Sequence, residues 1–163
     1  MLLVIDVSNT NMVLGVFNGE NLVANWRLST KSGRTADETG LLICSLFAYS
    51  DVSVGDIEAI IVSSVVPDVM YSLTNGIVKY LDVTPIIVSA GIKTGIKIVT
   101  ENPKEIGPDR IVDAVAAYGK YGGPVIVLDF GTATTYDLVG VNGTFEAGIT
   151  APGIETSGRS LWG

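Results

Sequence analysis

The chain has 163 residues, 47% of them hydrophobic and 17% charged, and a formal net charge of −7 at pH 7. That length and balance suit a folded chain with one full core, or one domain and part of another, and the acidic surplus disfavours a nucleic-acid partner without arguing against a phosphorylated ligand held by backbone N–H groups and cations. Cys44 is the only cysteine and there is no histidine, which excludes an intrachain disulfide, a multi-Cys zinc site and an imidazole base, and leaves proton transfer to carboxylates, Lys, Tyr or water.

Leu2–Ile5 reads as a strand that runs straight into Asp6, with no basic segment ahead of it. No apolar run approaches the roughly 20 residues needed to cross a bilayer, so a cytoplasmic location and no membrane partner are expected. Met12–Phe17 and Leu22–Leu28 read as two more strands, joined by the hairpin signal Asn18-Gly19. "STKSGR" is a loop, and "TADETGLLICSLFAY" a helix whose Thr35 and Glu38 have capping-box spacing. The apolar run "IEAIIVSSVV" suits a buried parallel strand. In "DVMYSLTNGIVKYL", Val69, Leu73, Ile77 and Leu81 fall at intervals of four, giving a helix one apolar face.

"TPIIVSA" is expected to be a strand and "GIKTGIKIVT" a glycine-broken loop and strand. A helix should start at Pro108, whose missing N–H is tolerated in the first turn, and reach about Tyr118, with Gly119 and Gly122 ending it. Lys93, Lys97 and Lys104 read as solvated surface, and Arg34 and Asp37 as residues that fix a loop and a helix start. Asp109 and Asp113 share a helix face, and Arg110 lies three residues from Asp113, which suits a local ion pair.

"VIVLDFGTATT" then repeats the opening "LLVIDVSNTN": an apolar run, an aspartate, one apolar residue, a small residue and a Thr-bearing loop. Asn142-Gly143 follows Asp129 much as Asn18-Gly19 follows Asp6. Two tandem α/β units of similar plan are expected, residues 1–118 forming a first domain and 119–163 the incomplete start of a second with no helical layer behind its strands. Such a sheet would expose apolar surface. Loops leaving strands at Asp6 and Asp129 can bring N–H groups to phosphate oxygens, with Gly131 permitting close approach and Thr10, Thr132 and Thr135 adding hydroxyls.

The pair "DVSNTN" and "DFGTATT", with "RTADE", "SSVVP", "KTG", "NPKEIGPDRIVDAVAAY" and "APGI" along the chain, resembles the type III pantothenate kinases of the acetate kinase, sugar kinase, Hsp70 and actin superfamily. The resemblance runs from Leu2 to about Ile154. It implies an α/β fold of the ribonuclease H-like, actin-type ATPase kind, one unit complete and a second begun. The implied activity is ATP-dependent phosphorylation of pantothenate to 4'-phosphopantothenate, the first step of coenzyme A biosynthesis, in a homodimer that uses Mg²⁺ and K⁺ or NH₄⁺. Carried onto this chain, the resemblance assigns ATP phosphates to Asp6, Val7, Ser8, Asn9, Thr10, Asn11, Met12 and Val13, with Thr132 as a further ATP contact. It assigns pantothenate to Gly107, Pro108, Asp109 and Arg110, proton acceptance to Asp109, and the monovalent cation to Asp129.

Three departures accompany the match. Ser8 stands where the first loop of the family has glycine, Pro108 replaces alanine, and the chain ends after "GIETSGRSLWG" where relatives continue. Truncation is therefore expected, and a catalytically inactive or regulatory ligand-binding relative is the alternative reading.

Overall fold

The structure is a computed structural model that describes residues 1–89 and 91–162. The chain divides into two compact units, Met1–Val88 and Ser89–Gly163.

The first unit is built on a five-stranded sheet. Strands β1 (Leu2–Val7), β2 (Asn11–Asn18) and β3 (Asn21–Ser29) form an antiparallel meander, and β4 (Ala59–Ser64) and β5 (Ile86–Ile87) add in parallel, giving the order β3-β2-β1-β4-β5. The Asn18-Gly19 signal marks the turn between β2 and β3, where Gly19 takes φ +61°, the left-handed region glycine enters without penalty. Leu3, Ile5 and Val7 alternate toward one face of the sheet and join Ile60 and Val62 in a single buried cluster. Helices α1 (Ala36–Ala48) and α2 (Pro67–Leu81) fill that face with Ile43, Phe47, Leu73 and Ile77. All four α2 positions expected from the spacing, Val69, Leu73, Ile77 and Leu81, are buried. Asp6 lies on the opposite face from these helices, because it follows Ile5 by one position.

α1 begins with the expected capping box: the Glu38 N–H donates to Thr35 Oγ1 at 3.2 Å, and the Thr35 N–H donates to Glu38 at 2.8 Å. The Thr35 N–H and, at 3.0 Å, the Thr35 hydroxyl both donate to the Glu38 carboxylate and hold it below its ordinary pKa. The two helices meet at Gly40 of α1 and Gly76 of α2: a Cβ on Gly76 would stand 2.6 Å from the Ala36 carbonyl oxygen and 3.0 Å from the Gly40 nitrogen. Beside this contact Asp37 accepts from Lys79 at 2.7 Å and from the Tyr80 hydroxyl at 2.9 Å, and its pKa is lowered by those bonds. Asp37 thus ties two helices together, and Thr35 with Glu38 makes the cap.

The second unit has a four-stranded sheet in the order β6-β9-β8-β7, made of β6 (Lys97–Ile98), β7 (Val125–Phe130), β8 (Ala133–Val139) and β9 (Thr144–Pro152). β7, β8 and β9 repeat the antiparallel meander of β1, β2 and β3, down to a register shift near the second hairpin turn of each, at Val16/Phe17 and at Leu138/Val139. Helix α3 (Pro108–Tyr121) packs on β7 and β8, burying Ile111 and Ala114 with Val139 and Phe145 nearby. Helix α4 (Ile154–Trp162) follows β9.

Four sequence expectations change here. The division falls after Val88 and not after residue 118, because the apolar face of α3 is buried on the second sheet. For the same reason the second sheet does have a helix on one face. α3 also runs past Gly119 to Tyr121 and stops at Gly122, whose φ of +72° supplies the turn out of the helix. The segments "TPIIVSA" and "GIKTGIKIVT" keep only two ladder residues each.

The other face of the second sheet is apolar and open. Ile126, Leu128 and Phe130 of β7 point the same way as Tyr136 of β8 and Ile149 of β9, and all five are exposed.

Candidate functional site

Asp6 is the penultimate residue of β1 and Asp129 the penultimate residue of β7. Each is inside its ladder, Asp6 opposite Val13 and Asp129 opposite Thr135, so strand pairing fixes where each carboxylate stands.

In the first unit, the loop after Asp6 is closed by the Ser8 N–H donating to the Asn11 carbonyl at 2.9 Å. The Thr30 hydroxyl at the end of β3 donates to the Ser8 carbonyl at 2.7 Å, and the Ser8 hydroxyl to Asp6 at 3.3 Å. Ser8 is not among the non-glycine residues with positive φ, so a Cβ is no backbone burden there and the loop stays closed. Asn9 and Thr10 are exposed at its tip, where N–H groups and a hydroxyl can meet phosphate oxygens. Within the Asp6–Val13 span, Val7 and Met12 are core residues, 1% and 5% exposed. Their side chains are not available to a ligand.

In the second unit, Gly131 and Thr132 make the tight turn between β7 and β8. The Gly131 N–H donates to the Ala133 carbonyl at 3.0 Å, and the Gly153 N–H to the Thr132 carbonyl at 3.2 Å. A Cβ on Gly153 would run into the carbonyl oxygens of Gly131 and Thr132, so "APGI" packs directly on this loop. Asp129 and Thr132 are both exposed.

The segment that the resemblance assigns to pantothenate, residues 107–110, lies at the start of α3. Gly107 is the N-cap, Pro108 the first helical residue, and Asp109 accepts from the Arg110 N–H at 2.9 Å. The Arg110 side chain turns down to the sheet, where its guanidinium grips Asp137 on β8 with Nε at 2.9 Å and 3.1 Å from the two carboxylate oxygens and Nη2 also bonded. Both side chains are largely buried, 14% and 2% exposed, and the guanidinium lies over the Phe145 ring at 5.8 Å. Gly148, opposite Asp137 on β9, makes the room: a Cβ there would overlap Arg110 Nη2.

Arg110 therefore reaches 27 residues along the chain for its partner. Sequence reading missed Asp137. Its signal was a charged residue in line with Thr135 and Val139 on one face of an alternating strand. Asp137 and Asp129 share the sheet face on which α3 lies, since Asp129 pairs with Thr135 two positions away. The pair thus fastens the start of α3 to the face that carries Asp129. Beside that segment, Ile92, Thr94, Ile96, Ile98, Pro103 and Ile111 line most of a cavity of about 570 Å³, with Lys93 and Lys97 also on its wall. Among the described residues, no helix is long and apolar enough to cross a membrane.

The sequence profile of the type III pantothenate kinases matches residues 2–163. The chain belongs to that family. It is 58% identical over 162 residues to the type III pantothenate kinase of Agathobacter rectalis, covering 99% of this chain and 62% of that relative's length. Among solved structures, the chain resembles the type II variant of the Aquifex aeolicus Ppx/GppA phosphatase, with a TM-score of 0.56 at 14% identity over 98% of this chain and 54% of the other. It also resembles the ADPNP-bound activator of 2-hydroxyisocaproyl-CoA dehydratase from Clostridium difficile, with a TM-score of 0.52 at 15% identity over 93% of this chain and 45% of the other. At such identities the likeness concerns the fold, which is the α/β actin-like ATPase fold expected from the sequence.

Proposed function

We propose that this family member takes part in ATP-dependent phosphorylation of pantothenate to 4'-phosphopantothenate. The observation that carries the reading is the paired placement of Asp6 and Asp129, each penultimate on the first strand of a like meander and each followed by a small-residue loop with exposed Thr. Family membership supplies the substrate class.

In this reading the exposed N–H groups and hydroxyl at Asn9 and Thr10 hold phosphate oxygens, and the exposed Thr132 hydroxyl is a further contact to the nucleotide. Mg²⁺ usually binds through one or two carboxylates together with substrate phosphates, and Asp6 fits that part; when bound, the ion neutralises charge developing on the phosphates. Exposed Asp129 beside the Gly131 turn suits a weakly held K⁺ or NH₄⁺. The primary hydroxyl of pantothenate attacks the terminal phosphorus, the new O–P bond forms as the bond to the β-phosphate oxygen breaks, and ADP departs. Asp109 orients that hydroxyl and accepts its proton late in a loose phosphoryl transfer.

Gly107, Pro108 and Asp109 remain the acceptor contacts. Arg110, already bound to Asp137, serves mainly by holding Asp109 in place, with Nη1 its only nitrogen not committed to that carboxylate. The cavity beside the segment, apolar with lysines on its wall, suits a branched aliphatic body that ends in an acid. A homodimer in the cytoplasm completes the proposal.

The test is incubation of the purified chain with ATP, Mg²⁺, K⁺ and pantothenate, with phosphopantothenate read by mass spectrometry. Product is expected, and its rate should fall when Na⁺ replaces K⁺. Nucleotide binding without product would favour a ligand-binding relative that does not turn over.

A further inference from the structure

A buried hydroxyl in the first unit has no role so far. Ser63 of β4 is 5% exposed, and its Oγ has no hydrogen-bond partner among the described residues. Its neighbour Ser64 is used, accepting from the Val66 N–H at 3.1 Å to shape the turn into α2. Ser63 pairs in register with Asp6, on the parallel strand next to β1. Residues paired in this way project from the same face, here the one opposite α1 and α2. Both also lie at the carboxyl ends of adjacent parallel strands, where open α/β sheets place their ligands.

A buried hydroxyl is rarely left without a partner in a native fold, and an exception calls for one that arrives with a ligand. Beside a carboxylate, a hydroxyl that can both donate and accept matches a water of a hydrated cation. Mg²⁺ keeps several of its waters when it binds through phosphates. We infer that Ser63, together with Asp6, holds a water of the hydrated divalent ion that accompanies the nucleotide. The inference rests on the nucleotide reading above and adds a residue to it that acts through water, not on the phosphates themselves.

The test is calorimetric titration of the chain and its Ser63→Ala variant with the non-hydrolysable analogue AMPPNP, once with Mg²⁺ and once with EDTA, alongside thermal unfolding without ligand. Losing one hydrogen bond of ordinary strength should weaken the Mg²⁺ complex about three- to tenfold. Affinity in EDTA should be unchanged, and the unliganded melting temperature unchanged or higher, since an unpartnered polar atom is removed. Ser63→Cys, which keeps the size but donates weakly, should lose the same affinity. Equal affinity of wild type and variants, or equal weakening with and without Mg²⁺, would overturn the assignment. So would a lower melting temperature or loss of the fold in Ser63→Ala, because the hydroxyl would then have a structural partner. A wild-type chain that binds no Mg²⁺–AMPPNP would overturn the nucleotide reading as well, whereas binding that ignores Ser63 would overturn this inference alone.

Discussion

Truncating Asp137 to alanine would leave the Arg110 guanidinium buried over Phe145 without its counter-charge. Breaking a buried pair from one side costs about 3–5 kcal/mol, while replacing both partners by apolar residues is often neutral. Asp137→Ala should therefore lower urea stability by about that amount, and a double Arg110→Leu/Asp137→Leu variant should recover part of it. Both should slow turnover if the pair positions Asp109. Asp109→Asn is a different case, because its carboxylate is bonded only to the Arg110 N–H among the contacts described above. Folding and nucleotide affinity should persist in that variant, with turnover down by about 10²–10⁴-fold at saturating pantothenate, the usual contribution of a placed general base. Near-normal turnover would make Asp109 a helix-end residue only. Ser8 needs no such rescue, since its backbone is one any L-residue adopts.

Helices α1 and α2 are held by a cap, a two-glycine crossing and a cross-helix carboxylate, and each can be probed separately. Thr35→Ala removes the cap and should cost about 1 kcal/mol in denaturant titrations. Gly76→Ala drives a methyl toward the Ala36 carbonyl and should cost about 1–3 kcal/mol by forcing the helices apart. Glu38 and Asp37 have pKa values lowered from 4.5 and 3.8. Their stabilisation is complete above those unfolded-chain values and is lost as pH falls through the lower folded ones. Urea midpoints measured from pH 6 to 3 should fall at the acid end, and less steeply in Thr35→Ala. Much of this was legible in the sequence: the capping box, the intervals of four in α2 and the Asn-Gly turns are local signals with local causes. Gly119 misled because an exposed glycine can remain inside a helix whose other face is well packed. The ownership of α3 was not legible, since amphipathic spacing shows that a helix has a partner but not which sheet it is. Asp137 and Gly148 became meaningful only once the β8–β9 register put them under Arg110.

At the scale of the whole molecule, the two meanders are alike and their surroundings differ. β1 has β4 at its free edge, whereas β7 ends its sheet among the described residues. The open face carrying Ile126, Leu128, Phe130, Tyr136 and Ile149 is the kind of contiguous apolar surface that marks an interface. Sedimentation of the chain should show concentration-dependent association, and a Leu128→Lys/Phe130→Lys variant should sediment as a smaller species. Independence of association from that variant would show that other surfaces meet. The strand-borne aspartates carry a final consequence. Because each is placed by ladder pairing, a shift of one residue in β1 would turn Asp6 into the helix-covered core, and in β7 would turn Asp129 onto the open apolar face. A shift of two would preserve the direction and move the carboxylate by one repeat of the pleat. Insertions and deletions ahead of either aspartate are therefore governed by parity: odd changes erase the site, and even ones only displace it.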